Sequence, residues 1–161
     1  MGRVRRWVGV LAAAAALTLV GAACAPAPPG VPSGSCGMDA LSQEVLVDLN
    51  GARTSNGLPP LGANGQLTCL AQGWSSYLAS TNSFFHRDLA GVLRTPAYAG
   101  YHTLGENLLL GPWTMSAADI NTAWWNSPQH RANMLSPAFT SVGIGIAYAN
   151  GQAWATEDFG G

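Results

Sequence analysis

The chain has 161 residues, and its seven basic residues, all arginine, stand against eight acids for a formal net charge of −1. Three of the arginines lie in the first six positions, so from residue 24 onward four arginines face eight acids and the net charge is −4. That leaves no basic stripe for nucleic acid and no polybasic patch for anionic lipid, while the length allows one domain with a sizeable core plus appendages.

Residues 1–23 read as an export signal. Arg3, Arg5 and Arg6 give a positive start, residues 7–20 are an apolar run, and Gly21, Ala22 and Ala23 supply small residues for processing. The run is too short and wrongly flanked for a membrane span. The Arg5-Arg6 pair hints at twin-arginine export, but its flanks favour the general route. Cys24 looks like the lipid-modified cysteine of a bacterial lipoprotein, although Gly21 stands where such a site usually has Leu. Cleavage after Ala23 to give a free secreted protein is the alternative. Residues 24–36 are then a proline-rich tether, a composition that cannot bury enough apolar surface to fold alone.

Export implies an oxidising compartment, where an even number of cysteines favours pairing. With Cys24 committed to lipid, Cys36 and Cys69 remain. A bridge between them would close a loop of about 33 residues and stabilise by about 3 kcal/mol. Two buried free thiols are the other reading.

The folded domain occupies residues 37–161. Met38, Leu41, Val45, Leu49 and Ala52 recur at helical spacing, with Asp39 and Glu44 near the start. Asn56-Gly57 stops that helix and Pro59-Pro60 prevents its continuation. Asn64 is placed to cap a second helix, whose apolar stripe runs through Leu67, Leu70, Ala71, Trp74, Tyr77 and Leu78. Phe84 and Phe85 are expected to close that helix into the core, and His86 follows them. Residues 87–104 show no sustained period and read as a long irregular loop, with His102 incidental within it. Glu106 interrupts an apolar run at residues 104–110, so it reads as a buried acid that needs donors or cations close by.

Ser116 and Asp119 frame a third helix with Ala117, Ile120 and Trp124 inward. Ser127 before Pro128 then reads as an N-cap with proline at the first helical position. His130 falls at the third helical place, where the helix dipole favours a neutral imidazole able to ligate a metal or take a proton. Val142, Ile144, Ile146 and Tyr148 alternate with Gly143, Gly145, Ala147 and Ala149. That pattern is a strand with one nearly bare face, which lets a helix or backbone come close. Asn150-Gly151 signals a hairpin, and residues 152–159 return as its partner strand. Helices with a late hairpin imply an antiparallel sheet flanked by helices.

Five motifs occur in order: Asn50-x-x-Arg53 with Gly57-Leu58-x-x-Leu61; Phe84-Phe85-His86; Gly105-Glu106-Asn107; the run from Trp124 to Leu135 with Asn126-Ser127-Pro128, His130-Arg131 and Asn133; and Val142-Gly143-x-Gly145-x-Ala147. With these residues the chain resembles the CAP superfamily of cysteine-rich secretory, antigen 5 and pathogenesis-related proteins, and most of all its bacterial, exported branch. The resemblance spans nearly the whole mature domain. It implies an α+β fold, an α-β-α sandwich with a small antiparallel sheet, and a cleft holding two histidines and two acids. His86, Glu106 and His130 match three of those positions. The second acid is missing, because Ser127 stands where many eukaryotic members have Glu.

Three functions are weighed. The first is an extracytoplasmic, monomeric module that binds a lipid or cell-wall ligand, as the resemblance implies. The second is a metal-assisted hydrolase of peptides or envelope polymers. Two neutral imidazoles and a carboxylate form a zinc set at His86, Glu106 and His130, with a fourth place for water. The third is a structural polar cluster. No serine or cysteine is placed as a nucleophile beside a base and the catalytic set is incomplete, which favours binding.

Overall fold

The computed structural model describes residues 29–161; the expected export signal, the Cys24 lipid site and the first residues of the tether lie outside them. Helix α1 (Ala40–Ser55) starts at Asp39, whose carboxylate accepts the Ser42 amide at 2.7 Å. Its buried face presents Val45 and Leu49, as the spacing predicts, and Gly57 at φ +74° makes the turn away. Asn50 then clasps the next segment through both backbone groups of Leu61, at 2.8 and 3.0 Å. Arg53 is fully buried and donates to the carbonyls of Pro59 (3.0 Å), Met134 (2.7 Å) and Ser136 (3.0 Å). The Asn50/Arg53 motif is thus a latch that fixes distant loops to α1.

A two-residue strand β1 (Gly62–Ala63) precedes helix α2 (Gly65–Thr81), which Asn64 caps through the amides of Gln66 and Leu67. The helix ends on Asn82 in the left-handed region, φ 49°. Phe84 and Phe85 do not close it into the core: both lie beyond the helix end and are about half exposed. The segment expected to be irregular holds a short helix α3 (Leu89–Leu93) and a 3-10 turn at Pro96–Tyr98. Val92 and Tyr98 anchor it in the core, and too few turns are present for a period to show in sequence.

Strand β2 (Leu104–Pro112), helix α4 (Ala117–Asn126), helix α5 (Pro128–Met134), strand β3 (Ser141–Ala149) and strand β4 (Gln152–Gly160) complete the chain. Helix α4 opens with the expected Ser116/Asp119 capping box. Ser127 holds the N-cap position of α5, but its hydroxyl makes no capping bond. The junction is closed by backbone instead: the Ser127 amide donates to Trp124 and its carbonyl accepts from Arg131 at 2.9 Å. Pro128 pre-sets the first helical φ.

The sheet order is β1-β3-β4-β2. The β3–β4 hairpin turns at Asn150 (φ 50°) and Gly151 (φ 73°), the positive-φ pair that such a turn needs. The sheet is not wholly antiparallel, because β1 pairs parallel to β3 for two residues. Helix α2 covers one face, and α1, α4 and α5 cover the other, giving the α-β-α sandwich. The bare face of β3 lies under α2: a Cβ on Gly143 would overlap the backbone of Leu67 and Thr68, and one on Gly145 that of Ala71 and Gln72. The Cys36–Cys69 disulfide is present, with Cα atoms 5.0 Å apart, and ties the segment before α1 to α2. Among the described residues no helix is long and apolar enough to cross a membrane.

Candidate functional site

Strand β2 forms one edge of the sheet, and its side chains reach both faces there. Glu106 pairs with Asp158 on the α2 face, and Asn107 pairs with Glu157 on the opposite face. The site is built around that edge.

On the α2 face, the chain leaving α2 is pinned at residue 85. The indole N–H of Trp74 donates to the Phe85 carbonyl at 3.2 Å, and the two rings meet edge-on at 5.3 Å. His86 and Arg87 are thereby aimed at Glu106, whose side chain is only 1% exposed. One carboxylate oxygen lies 2.8 Å from His86 Nδ1 and accepts the Arg87 amide at 3.2 Å; the other accepts Arg87 Nε at 2.9 Å. Arg87 also donates to the Leu70 carbonyl at 2.8 Å and lies over the Trp74 ring at 4.9 Å. A buried carboxylate needs such partners, and Glu106 has them on both oxygens. Against a carboxylate that only accepts, Nδ1 carries the proton, so in the neutral form of His86 the free lone pair is on Nε2. The His86 side chain is 60% exposed, so that nitrogen is open to a ligand.

On the other face, Asn107 donates to Glu157 (3.0 Å) and to the His130 carbonyl (3.1 Å). Asn133 donates to Asn107 (2.9 Å) and to the Glu106 carbonyl (3.3 Å), which locks α5 onto β2. His130 therefore joins the cluster through its backbone. Its imidazole is held below the ordinary range, first by burial and then by the nearby charge of His86. The sequence-based expectation of a neutral ring has the same direction, but burial rather than the helix dipole leads.

Two further acids complete the cluster. Glu157 and Asp158 are buried, and burial pushes both carboxyls up, Glu157 to about 8. Arg87 Nη2 lies 3.5 Å from Asp158, an ion pair too long and poorly aimed to count as a hydrogen bond. Sequence reasoning missed these acids together with Arg87, Asn107 and Asn133. The signal was present in β4, where Thr156-Glu157-Asp158 puts polar groups on both faces of a strand flanked by Trp154 and Phe159.

The structure thus joins His86 directly to Glu106 and brings His130 within electrostatic reach of His86. His102 is exposed and engages the chain end, its amide donating to Gly161 at 2.7 Å. Among the described residues no group of three or more His, Cys, Asp or Glu side chains is arranged to hold a metal ion. Beside His86 and Arg87 lies a groove of about 510 Å³ with apolar walls that include Leu70, Trp74 and Val92.

Residues 46–159 match the profile of the CAP family, described as the cysteine-rich secretory protein family. The chain belongs to this family. The uncharacterized protein YkwD of Bacillus subtilis is 29% identical over 134 residues, covering 76% of this chain but 48% of its own length. This chain therefore spans about half of that relative. An extracellular protein of Bacillus anthracis containing an SCP domain matches in structure with a TM-score of 0.63 and 27% identity, over 73% of this chain and 39% of its own. These relatives set the chain in the bacterial branch of the CAP family. An outer surface protein of Borrelia burgdorferi shares the fold at 15% identity and a TM-score of 0.61, covering 79% of this chain and 98% of its own.

Proposed function

We propose that this CAP domain works outside the cytoplasm as a binding module that takes a lipid or cell-wall ligand in the groove beside His86. The observation that carries this reading is the groove itself: about 510 Å³, with apolar walls and, besides Asp88, two polar side chains in its lining, His86 and Arg87. An apolar concavity with a few fixed polar groups is the usual form of a small-ligand site. Glu106 holds both of those side chains, so they are oriented before any ligand arrives. The extracellular location is supported by the Cys36–Cys69 bridge and by the likeness to the extracellular protein of Bacillus anthracis. Lipid attachment at Cys24 would add a membrane anchor.

Titration of dispersed phosphatidylglycerol, and separately of soluble peptidoglycan fragments, into ¹⁵N-labelled protein tests the reading. One of them should shift the amides of His86 and Arg87 and the Trp74 indole. Shifts confined to other surfaces would overturn it.

A second reading, metal-assisted hydrolysis, draws support from the His86–Glu106 pair. A carboxylate behind a histidine is the usual support of a metal-binding imidazole. Glu106 itself fits poorly as a ligand, since both oxygens are engaged and the Arg87 guanidinium is adjacent. His86 through Nε2 and His130 would hold a zinc ion, with water in the remaining places and Glu106 orienting His86. Calorimetry should then show zinc uptake at neutral pH that weakens as pH falls through the histidine range. His130→Ala should abolish it, and Glu106→Gln should weaken it by about tenfold or more. A wild-type protein that takes up no zinc ends this reading.

A further inference from the structure

The other end of the sheet carries a separate depression of about 270 Å³, lined by Trp113, Tyr148, Ala149, Asn150, Gly151 and Gln152. It is remote from Glu106, since β2 runs about 20 Å from Glu106 to Pro112. Among the described residues the exposed large hydrophobics are Val31, Val47, Phe84, Phe85, Trp113 and Tyr148. Only Trp113 (62% exposed) and Tyr148 (52%) carry a ring with a hydrogen-bonding group, and both line this one depression.

Strand register puts the two rings together. Tyr148 is opposite Ala153 of β4, and Ala153 is opposite Gly111 of β2, so the three share one face of the sheet. Trp113 comes two residues after Gly111, and its amide donates to the Gly151 carbonyl at 3.2 Å. The rings thus flank the hairpin tip, where Gly151 and Ala153 are too small to cover either of them. The mount is rigid. Asn150 and Gly151 hold the positive-φ turn, and the Met115 amide closes the Trp113 turn onto Pro112 at 3.1 Å.

We propose that this depression is a second binding site, for a neutral oligosaccharide whose pyranose rings stack on Trp113 and Tyr148. A pyranose with equatorial hydroxyls has an apolar C–H face and a polar edge. The C–H bonds suit the electron-rich face of an aromatic ring. The edge needs donors and acceptors. The Trp113 indole N–H, the Tyr148 hydroxyl and the side-chain amides of Asn150 and Gln152 make no hydrogen bond with other described residues, and they can supply both. Charge narrows the class further. The lining holds no acid and no base. Burial, and after it the charge of Asp39, raises the Tyr148 phenol and keeps it a donor. That nearby acid and the net negative charge of the chain disfavour anionic glycans and anionic lipid surfaces. An alkyl chain would leave the polar groups unused, and a folded protein partner would need a far wider patch.

The test titrates the β-linked trimer of N-acetylglucosamine, a neutral sugar, into the full ¹⁵N-labelled chain with its disulfide intact. The Trp113 indole and the amides of residues 148–152 should shift and saturate. Trp113→Ala and Tyr148→Ala should each weaken binding by about tenfold, with circular dichroism unchanged because both rings are exposed. Tyr148→Phe keeps the ring and should lose less. The trimer of galacturonic acid, of similar size but anionic, should bind at least about tenfold more weakly. No shift at Trp113, equal affinity in Trp113→Ala, or preference for the acidic trimer would overturn the proposal. Shifts at His86 and the Trp74 indole alone would overturn it too while supporting the groove, so the two sites fail separately. Neutral phosphatidylcholine vesicles that perturb Trp113 when the sugar does not would also overturn it, and would mark a membrane contact instead.

Discussion

Nδ1 of His86 lies 2.8 Å from a carboxylate oxygen of Glu106, and Arg87, the next residue along, holds the other oxygen at 2.9 Å. Two consecutive side chains thus grip one buried acid. The grip orients His86 and also neutralises Arg87, whose side chain is only 8% exposed. Glu106→Gln keeps the shape and removes the charge, leaving a buried guanidinium with the Leu70 carbonyl, the Trp74 ring and the longer contact to Asp158. Urea titration should show a loss of about 3 kcal/mol. In an Arg87→Met background the same substitution should cost much less, because the pair is already broken. Equal losses in the two backgrounds would sink the pairing.

Two serines at helix starts should behave differently. Ser116 shares a reciprocal capping box with Asp119, whereas the hydroxyl of Ser127 makes no capping bond. Ser116→Ala should lower stability by about 1 kcal/mol. Ser127→Ala should stay within about 0.5 kcal/mol of wild type. The two unfolding curves, run side by side, decide; a larger loss at Ser127 would contradict the bond pattern.

The elements that repeat were legible in the sequence: the stripes of α1 and α2, the bare face of β3 and the Asn150-Gly151 turn each impose a period or a φ that residue types announce. The Cys36–Cys69 pair followed from cysteine number and compartment. The polar interior was much less legible. Glu106 could be read as a buried acid in need of cations, but nothing local said that Arg87 would be the cation. That depends on the path of the chain beyond Asn82, which Phe84 and Phe85 do not reveal. Glu157 and Asp158 went unnoticed for a related reason. A strand reads as apolar-in and polar-out, and β4 is a central strand covered on both faces, so its polar residues have no outside. The Ser127 error was of another kind, since a correct N-cap position does not oblige the hydroxyl to use it.

Arg53 illustrates a long-range role hidden in a short motif. Its guanidinium joins the end of α1 to the carbonyls of Pro59 in the following loop, Met134 at the end of α5 and Ser136 just beyond it. A lysine ammonium keeps the charge but cannot reproduce the planar fork. Arg53→Lys should therefore leave at least one buried carbonyl unpaired and cost about 2 kcal/mol. Thermal unfolding followed by circular dichroism would show it. An unchanged midpoint would mean that the carbonyls find other donors and that the latch is dispensable.

Glu157 gives the structure a pH dependence of definite sign. Burial raises its carboxyl from an ordinary value near 4.5 to about 8, and the hydrogen bond from Asn107 only partly opposes this. Between those values the folded chain keeps a proton that the unfolded chain releases, so folding loses stability as pH rises through the interval. One such group contributes a slope of up to about 1.4 kcal/mol per pH unit. Above pH 8 the folded carboxyl ionises too, and the slope vanishes. His130 acts in the other direction: its lowered pKa costs stability as pH falls below the ordinary imidazole value of 6.5. Asp158 shares the sign of Glu157, because burial raises it as well. The clean window is therefore between about pH 7 and 8, where the acids act and His130 is mostly neutral in both states. There the unfolding free energy of the wild type should decline steadily with pH. Glu157→Gln, which keeps an acceptor for Asn107 and cannot ionise, should at least halve that decline. Urea titrations at half-unit steps across the window measure both slopes. If they coincide, Glu157 is ionised in the folded protein at neutral pH, and burial does not govern its charge.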